Sequence, residues 1–272
     1  MTHEAPLRLG FFFGVLAIMA IWEILAPRRR LSLPKSRRWL SNIGLVFLDT
    51  LTVRWVVPVT AISMAILAQR QGFGVLNHYI LPKGLKILLS VVALDFVIYL
   101  QHVMFHATPV LWRFHMIHHA DRDIDVTTGL RFHPLEILIS MGVKLAAIVV
   151  IGPPAVAVLI FEVVLNASAM FNHSNARLPI AVDRFLRLFI VTPDMHRVHH
   201  SVIVPETNSN FGFNVPWWDR LCGTYCAQPS AGHEKMTIGL NQFRGTEVAR
   251  LSWILRIPFT GKLGEYPING AE

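Results

Sequence analysis

The chain has 272 residues, 53% of them hydrophobic and only 15% charged, with a mean hydropathy of +0.47. Soluble domains carry about 25% charged residues, so the balance excludes an ordinary water-soluble domain and indicates an integral membrane protein. The net charge of +8 comes from basic residues that flank apolar runs, which is charge that orients spans rather than a nucleic-acid footprint.

Residues 9–26 (LGFFFGVLAIMAIWEILA) are long and apolar enough for a first span. A nearly uncharged start, the lack of a small-x-small cleavage site and the basic cluster that follows argue against a signal peptide. That cluster, RRRLSLPKSRR at 28–38, holds six Lys/Arg in eleven positions. The positive-inside rule makes it cytoplasmic. Residues 40–68 return as one long, bent or tilted helix, interrupted by Asp49 and Arg54 and kinked at Pro58. A loop from Gln69 to Lys83 follows, and residues 85–101 cross back, which brings His102 and His106 out on the cytoplasmic side. Arg70, Lys83 and Lys86 stay outside. Asp95, seven residues before His102 and on the same face, is expected to accept from a ligating imidazole N–H, or else to make an ordinary buried polar contact.

A cytosolic helix starting after Pro109 carries His115, His118 and His119. Residues 135–152 and 154–171, split by Gly152-Pro153-Pro154, read as a helical hairpin dipping out and returning. Lys144 and Glu162 each lie nine residues from Pro153, so they are expected to pair. The returning arm delivers His173, and the last box carries His196, His199 and His200. Beyond it, Trp217-Trp218 suggest an interfacial anchor, and 246–257 forms either an interfacial amphipathic helix or one packed on the rest of the chain. Cys222 and Cys226 lack the second pair a zinc site needs and fall on the cytoplasmic side, where disulfides are rare. The parts are then 1–84, membrane spans and basic loop; 85–226, the catalytic unit; and 227–272, a cytosolic tail. The fold class is an all-α membrane bundle of about three spans plus a helical hairpin, with a cytosolic histidine-rich cap holding two metals.

The chemistry lies in the histidines. His102 and His106 are i, i+4; His115/His118/His119 and His196/His199/His200 both read H-x-x-H-H. On a helix, i and i+4 share a face, so one metal reaches both, and H-x-x-H-H can offer imidazoles to two adjacent metals. With His133 and His173, ten histidines could converge, too many for one zinc or one haem. All-nitrogen ligation with open positions favours iron for oxygen chemistry. His3, His78 and His233 lie outside every box and are expected to be solvated. The rival reading is a divalent-metal binding or transport protein, though a transporter would put its ligands near the midplane.

HVMFH, HMIHH and DMHRVHH, together with DIDVTTGLRFHPLE, FNHSN, TNSNFG and WWDRLCGTY, resemble the histidine boxes and flanking blocks of the fatty acid hydroxylase/sterol desaturase superfamily, in its bacterial sterol desaturase-like branch, over roughly 90–226. The resemblance implies a membrane-embedded non-haem di-iron enzyme that uses O₂ and two electrons to hydroxylate or desaturate a lipid or sterol-like substrate. It implies His102, His106, His115, His118, His119, His196, His199 and His200 as ligands, with His173 and His133 joining them. No other side chain is implied to act on substrate. Asn208 and Asn210 match a polar block that orients ligands or substrate, or else forms an Asn/Gly turn. The electron donor is expected to be a separate cytochrome b5-, ferredoxin- or rubredoxin-like protein. The location is expected to be a bacterial inner membrane, with the active site on the cytoplasmic side. Apolar side chains from 85–101 and 154–171, among them Ala93 and Ala169, are expected to wall the lipid channel.

Overall fold

Proline and glycine placement cuts the apolar sequence into helices. The computed structural model describes residues 4–270. Helix α1 is Glu4–Leu25, α2 Lys35–Val56, α3 Ala61–Gln71, α4 Lys83–Ala107, α5 Pro109–His119, α6 Pro134–Ile151 and α7 Ala155–Asn172. Six shorter helices follow: α8 Ile180–Leu186, α9 Pro193–His199, α10 Val204–Thr207, α11 Trp217–Cys222, α12 Gly232–Lys235 and α13 Leu251–Thr260. Only isolated bridges, and no strands, occur among the described residues.

The run expected as one bent helix over 40–68 is two helices. Val57, preceding Pro58, is held in extended backbone, and Thr60 restarts the chain by accepting from Ser63 N–H. The same device separates α4 from α5: Thr108 is extended and Pro109 occupies the first helical position. Taking α2 and α3 together, five segments are long and apolar enough to cross a membrane. Only 11% of the apolar window is buried in α1 and in α6, so their remaining faces point outward as lipid contact requires. The chain is an integral membrane protein.

The bundle has two distinct ends. At one, Gly74 meets Gly152, both at positive φ; a Cβ on Gly74 would fall 2.3 Å from the Gly152 nitrogen, so the α6–α7 turn closes on a backbone contact that only glycine allows. At the other converge the end of α4, α5, the start of α6, the end of α7 and the basic segment 28–38. Arg28 pairs with Asp194 of α9, and Arg29 donates to the Met236 carbonyl.

Between α5 and α6 the loop 121–131 is buried and charged. Arg38 donates to both oxygens of Asp121 at 2.8 Å and also reaches Asp125 and Thr128. Arg131 donates to the carbonyls of Ile117 and Val248. Burial alone would raise the Asp121 carboxyl, but Arg38 outweighs it and holds it below the ordinary carboxylate range. The segment after 236 packs on this end too: Leu240, Phe243, Val248, Ile254 and Tyr266 share a core with Trp112, Met116 and Ile117 of α5. α13 therefore packs inward through Ile254 and Ile257, the second of the two arrangements its sequence allows.

Candidate metal centre

The i, i+4 spacing decides which imidazoles meet. His102/His106 on α4 and His115/His119 on α5 converge with His199, and His196/His200 converge with His118 and His173. In both groups the candidate nitrogens lie within 4.8 Å of one another, and every member is buried. Each H-x-x-H-H box thus gives its i, i+4 pair to one group and its middle histidine to the other. The groups adjoin: the His119 and His200 rings stack at 4.7 Å.

Outer hydrogen bonds fix the tautomers of six rings. Nδ1–H donates to the Phe211 carbonyl from His102 (2.8 Å), to Asn208 Oδ1 from His106 (3.0 Å) and to Glu136 Oε1 from His115 (2.7 Å). His118, His173 and His199 likewise donate to the carbonyls of Arg131, Ala169 and Ser209. Asn208 is oriented by its own amide, which donates to the Tyr266 carbonyl. With the proton on Nδ1, each Nε2 presents a lone pair.

These lone pairs face one another. Nε2 of His102 lies 3.2 Å from that of His115 and 3.0 Å from that of His199, and His118 and His173 approach to 3.0 Å. No hydrogen bond can join two bare lone pairs, and burial opposes an added proton. It pushes His115 and His173 down to about 3, and His118, His119, His196, His199 and His200 well below the ordinary histidine value, with neighbouring imidazoles adding to the effect. A cation between the nitrogens resolves the conflict. Metal–nitrogen bonds of roughly 2.1 Å at right angles put donors roughly 3.0 Å apart. The His196 Nδ1 and both His200 nitrogens are buried without partners. The donor set fits metal.

Local sequence aims these rings. Thr192 caps α9 by accepting from Met195 N–H, with Pro193 first in the helix. Arg197 pairs with Asp194 and donates to the Ser174 carbonyl beside His173. Aromatic rings close the site: Phe132 stacks on His118 at 4.7 Å, while Trp112 and Phe211 stand 4.8 and 5.0 Å from His106.

Other singled-out residues lie elsewhere. His133 caps α6, its Nδ1 accepting from Leu135 N–H, and joins neither group. Asp95 touches no imidazole; it accepts from Asn214 (2.7 Å) and Trp218 (2.8 Å), and so steadies the loop whose Phe211 carbonyl holds His102. Asn210, at φ 52°, bonds to Met195 and Cys226 in a left-handed turn that Asn tolerates. His78 is exposed, His3 lies outside the described residues, and His233 is buried rather than solvated, bonded to Gln228. Glu136 escaped sequence reasoning. It stands three residues after His133 in HPLE, where attention goes to the histidine, and it is the carboxylate that holds His115.

A cavity of about 440 Å³ opens beside the first group, reaching His102, His115 and Glu136. Its walls come from α1, α2 and α6 as well as α4 and α7; Ala169 lines it and Ala93 does not.

The fatty acid hydroxylase family model matches residues 87–224, half of the chain and all nine clustered histidines. The chain is 27% identical over 230 residues to an ornithine lipid hydroxylase of Rhizobium tropici, covering 80% of this chain and 66% of that protein. It is 29% identical over 146 residues to the alkylglycerol monooxygenase of Homo sapiens, covering 54% and 31% respectively. It is 26% identical over 259 residues to the cholesterol 25-hydroxylase of Rattus norvegicus, covering 86% and 82%. The chain thus spans under two thirds of the first of these relatives and about a third of the second. No solved structure matches the chain significantly.

Proposed function

The chain belongs to the fatty acid hydroxylase family, and from that premise we propose that it is a membrane-bound non-haem di-iron oxygenase. It uses O₂ to hydroxylate, or on the same scaffold to desaturate, an aliphatic position of a lipid or sterol-like substrate. The observation that carries this is the pair of adjoining imidazole groups, lone pairs inward, at the foot of a cavity between spans. His102, His106, His115, His119 and His199 would hold one iron, and His118, His173, His196 and His200 the other. Bound there, the irons supply O₂ activation, with two electrons from a separate redox protein of cytochrome b5, ferredoxin or rubredoxin type.

The chain's own residues prepare the site. The Nδ1 acceptors keep each imidazole in its ligating tautomer. Phe132, Trp112 and Phe211 keep water from the rings, and the cavity fixes one substrate carbon near His102 and His115. The family relatives act, by their names, on an ornithine lipid, an alkylglycerol and cholesterol, all amphiphiles that a cavity between spans can take from the bilayer. The basic segment 28–38 lies at the same end as the histidines, which by the positive-inside rule supports an active site on the cytoplasmic side of what we take to be a bacterial inner membrane.

The test is iron per chain in detergent-purified protein, with His118→Ala and His199→Ala alongside. About two irons are expected in the native protein, and each variant, striking a different group, should lose iron. Zinc alone, or iron indifferent to both substitutions, would sink the reading.

A further inference from the structure

The inward packing of α13 leaves its outer face unused. Along that face Arg250, Ser252, Trp253, Arg256, Ile257 and Thr260 line a hollow of about 310 Å³. Both arginines are exposed, and neither guanidinium has an ion-pair or hydrogen-bond partner among the described residues. Ser252 and Thr260 add exposed hydroxyls, and the half-buried Trp253 ring stands edge-on to Phe243 at 5.1 Å. No carboxylate lines the hollow among the described residues. Two cations, two hydroxyls and an indole suit an anion that is attached to something apolar.

The position of α13 says what the apolar part is. The Ala249 carbonyl accepts from Ser41 Oγ, and Leu251 packs over Gly44, early in α2 and just past the basic segment. Leu40, Ile43 and Phe47 of that stretch are exposed. So is Phe259 near the other end of α13, where it meets the rings of Phe114 and His133. Bare apolar side chains on both flanks, at one end of spanning helices, mark the boundary between hydrocarbon and headgroups. A soluble anion or an acidic protein would have no use for that rim. An anionic lipid uses both rim and arginines.

We propose that the outer face of α13 binds the phosphate headgroup of an anionic phospholipid through Arg250 and Arg256, with its acyl chains lying against Leu40 and Phe47 of α2. The site goes beyond the oxygenase reading and stands without it. It also ties the last segment of the chain to the bilayer. Ile254 shares the core of Trp112 and Met116, and the Val248 carbonyl just before α13 holds Arg131.

The experiment adds dioleoylphosphatidylglycerol or dioleoylphosphatidylcholine, identical in their chains, to full-length protein in a nonionic detergent. Shifts in melting temperature give the two apparent affinities. The anionic lipid is expected to bind about tenfold more tightly, and Arg250→Gln with Arg256→Gln should bring the ratio near one. Arg30→Gln with Arg37→Gln, which removes two exposed charges from the basic segment, should keep the preference. If the α13 variant fails to fold, a phosphatidylglycerol with a photoreactive headgroup decides on native protein, where it should label residues 250–260. Equal affinities in native protein, or labelling only elsewhere, overturn the proposal. So does a preference that survives the α13 variant, or one that falls equally in both variants, since the lipid would then answer net charge alone. Inorganic phosphate matching the stabilisation by the lipid would make the ligand a soluble anion, and overturns it as well.

Discussion

At the scale of single residues, tautomer control governs the centre. Glu136 holds the His115 Nδ1–H at 2.7 Å, and removing such a partner typically weakens a metal site 10- to 100-fold. Glu136→Leu should therefore lose iron to a chelator during dialysis far faster than the native protein. Glu136→Gln, which keeps an acceptor oxygen, should fall between them. Acid acts on the same rings. His115 and His173, held at about 3 against an ordinary value of 6.5, stay neutral in the folded chain while the unfolded chain takes up protons below pH 6.5. The unfolded state then binds more protons, so stability of the metal-free protein falls as pH drops from 6.5 toward 3, by up to about 1.4 kcal/mol per pH unit for each such ring. Melting temperatures of chelator-treated protein between pH 7.5 and 5 check this; a flat profile would mean the folded imidazoles take up protons in step with the unfolded chain, at the ordinary value. Which rings share a helix face could be read from spacing, since i, i+4 is a local matter. That Glu136 and not His133 turns toward the centre could not, because it depends on how α6 docks against α5.

At the scale of elements, the spans follow from hydropathy and the breaks from proline. Where the sequence reading expected Pro58 to bend a helix, it ends one, because Val57 leaves the helical region before the proline. The Lys144–Glu162 pair joins the two arms of the hairpin at similar depth, as their equal distance from Pro153 led one to expect. Arg8 adds a second cation on Glu162, which no spacing rule could supply from a helix over 150 residues away. Glu162→Gln should consequently cost more stability than Lys144→Met, and the double variant less than the sum, with a coupling of about 0.5–3 kcal/mol. Thermal unfolding in detergent measures all three. Simple additivity would mean the two side chains do not interact. Arg38 is the corresponding brace for the loop 121–131, buried against Asp121 and Asp125. Arg38→Leu leaves those carboxylates unpaired and should destabilise by about 3–5 kcal/mol. Iron should fall with it, since the Arg131 carbonyl that holds His118 belongs to that loop.

Across the whole molecule, the two ends of the bundle have different jobs. One is a closed turn of glycines and prolines, and the other gathers every clustered histidine, the basic segment and the chain beyond 236. The sequence reads this last portion as a cytosolic tail and leaves open whether 246–257 packs its apolar residues on the rest of the chain. Their partners are on α5, far away in the chain. Asn208, which orients His106, is itself held by the Tyr266 carbonyl, and Ile268 and Asn269 donate to the carbonyls of His106 and Ala107 at the end of α4. Truncation after residue 236 should leave the spans inserted but strip the iron, as measured by metal content of the membrane-extracted protein. Retention of native iron would show the brace to be dispensable.

That brace also imposes an order of events during synthesis. All nine clustered histidines leave the ribosome before residues 240–269, and α4 and α5 are already made while the segment that latches them has yet to be. A newly made chain therefore passes through a stage in which the imidazoles are assembled but unlatched and the centre is open to water and to whatever divalent ion is at hand. Closure comes last. The ion held in the finished protein is then the one present when residues 240–269 fold over α5, so metal supply at that moment, as much as affinity, decides what the centre holds.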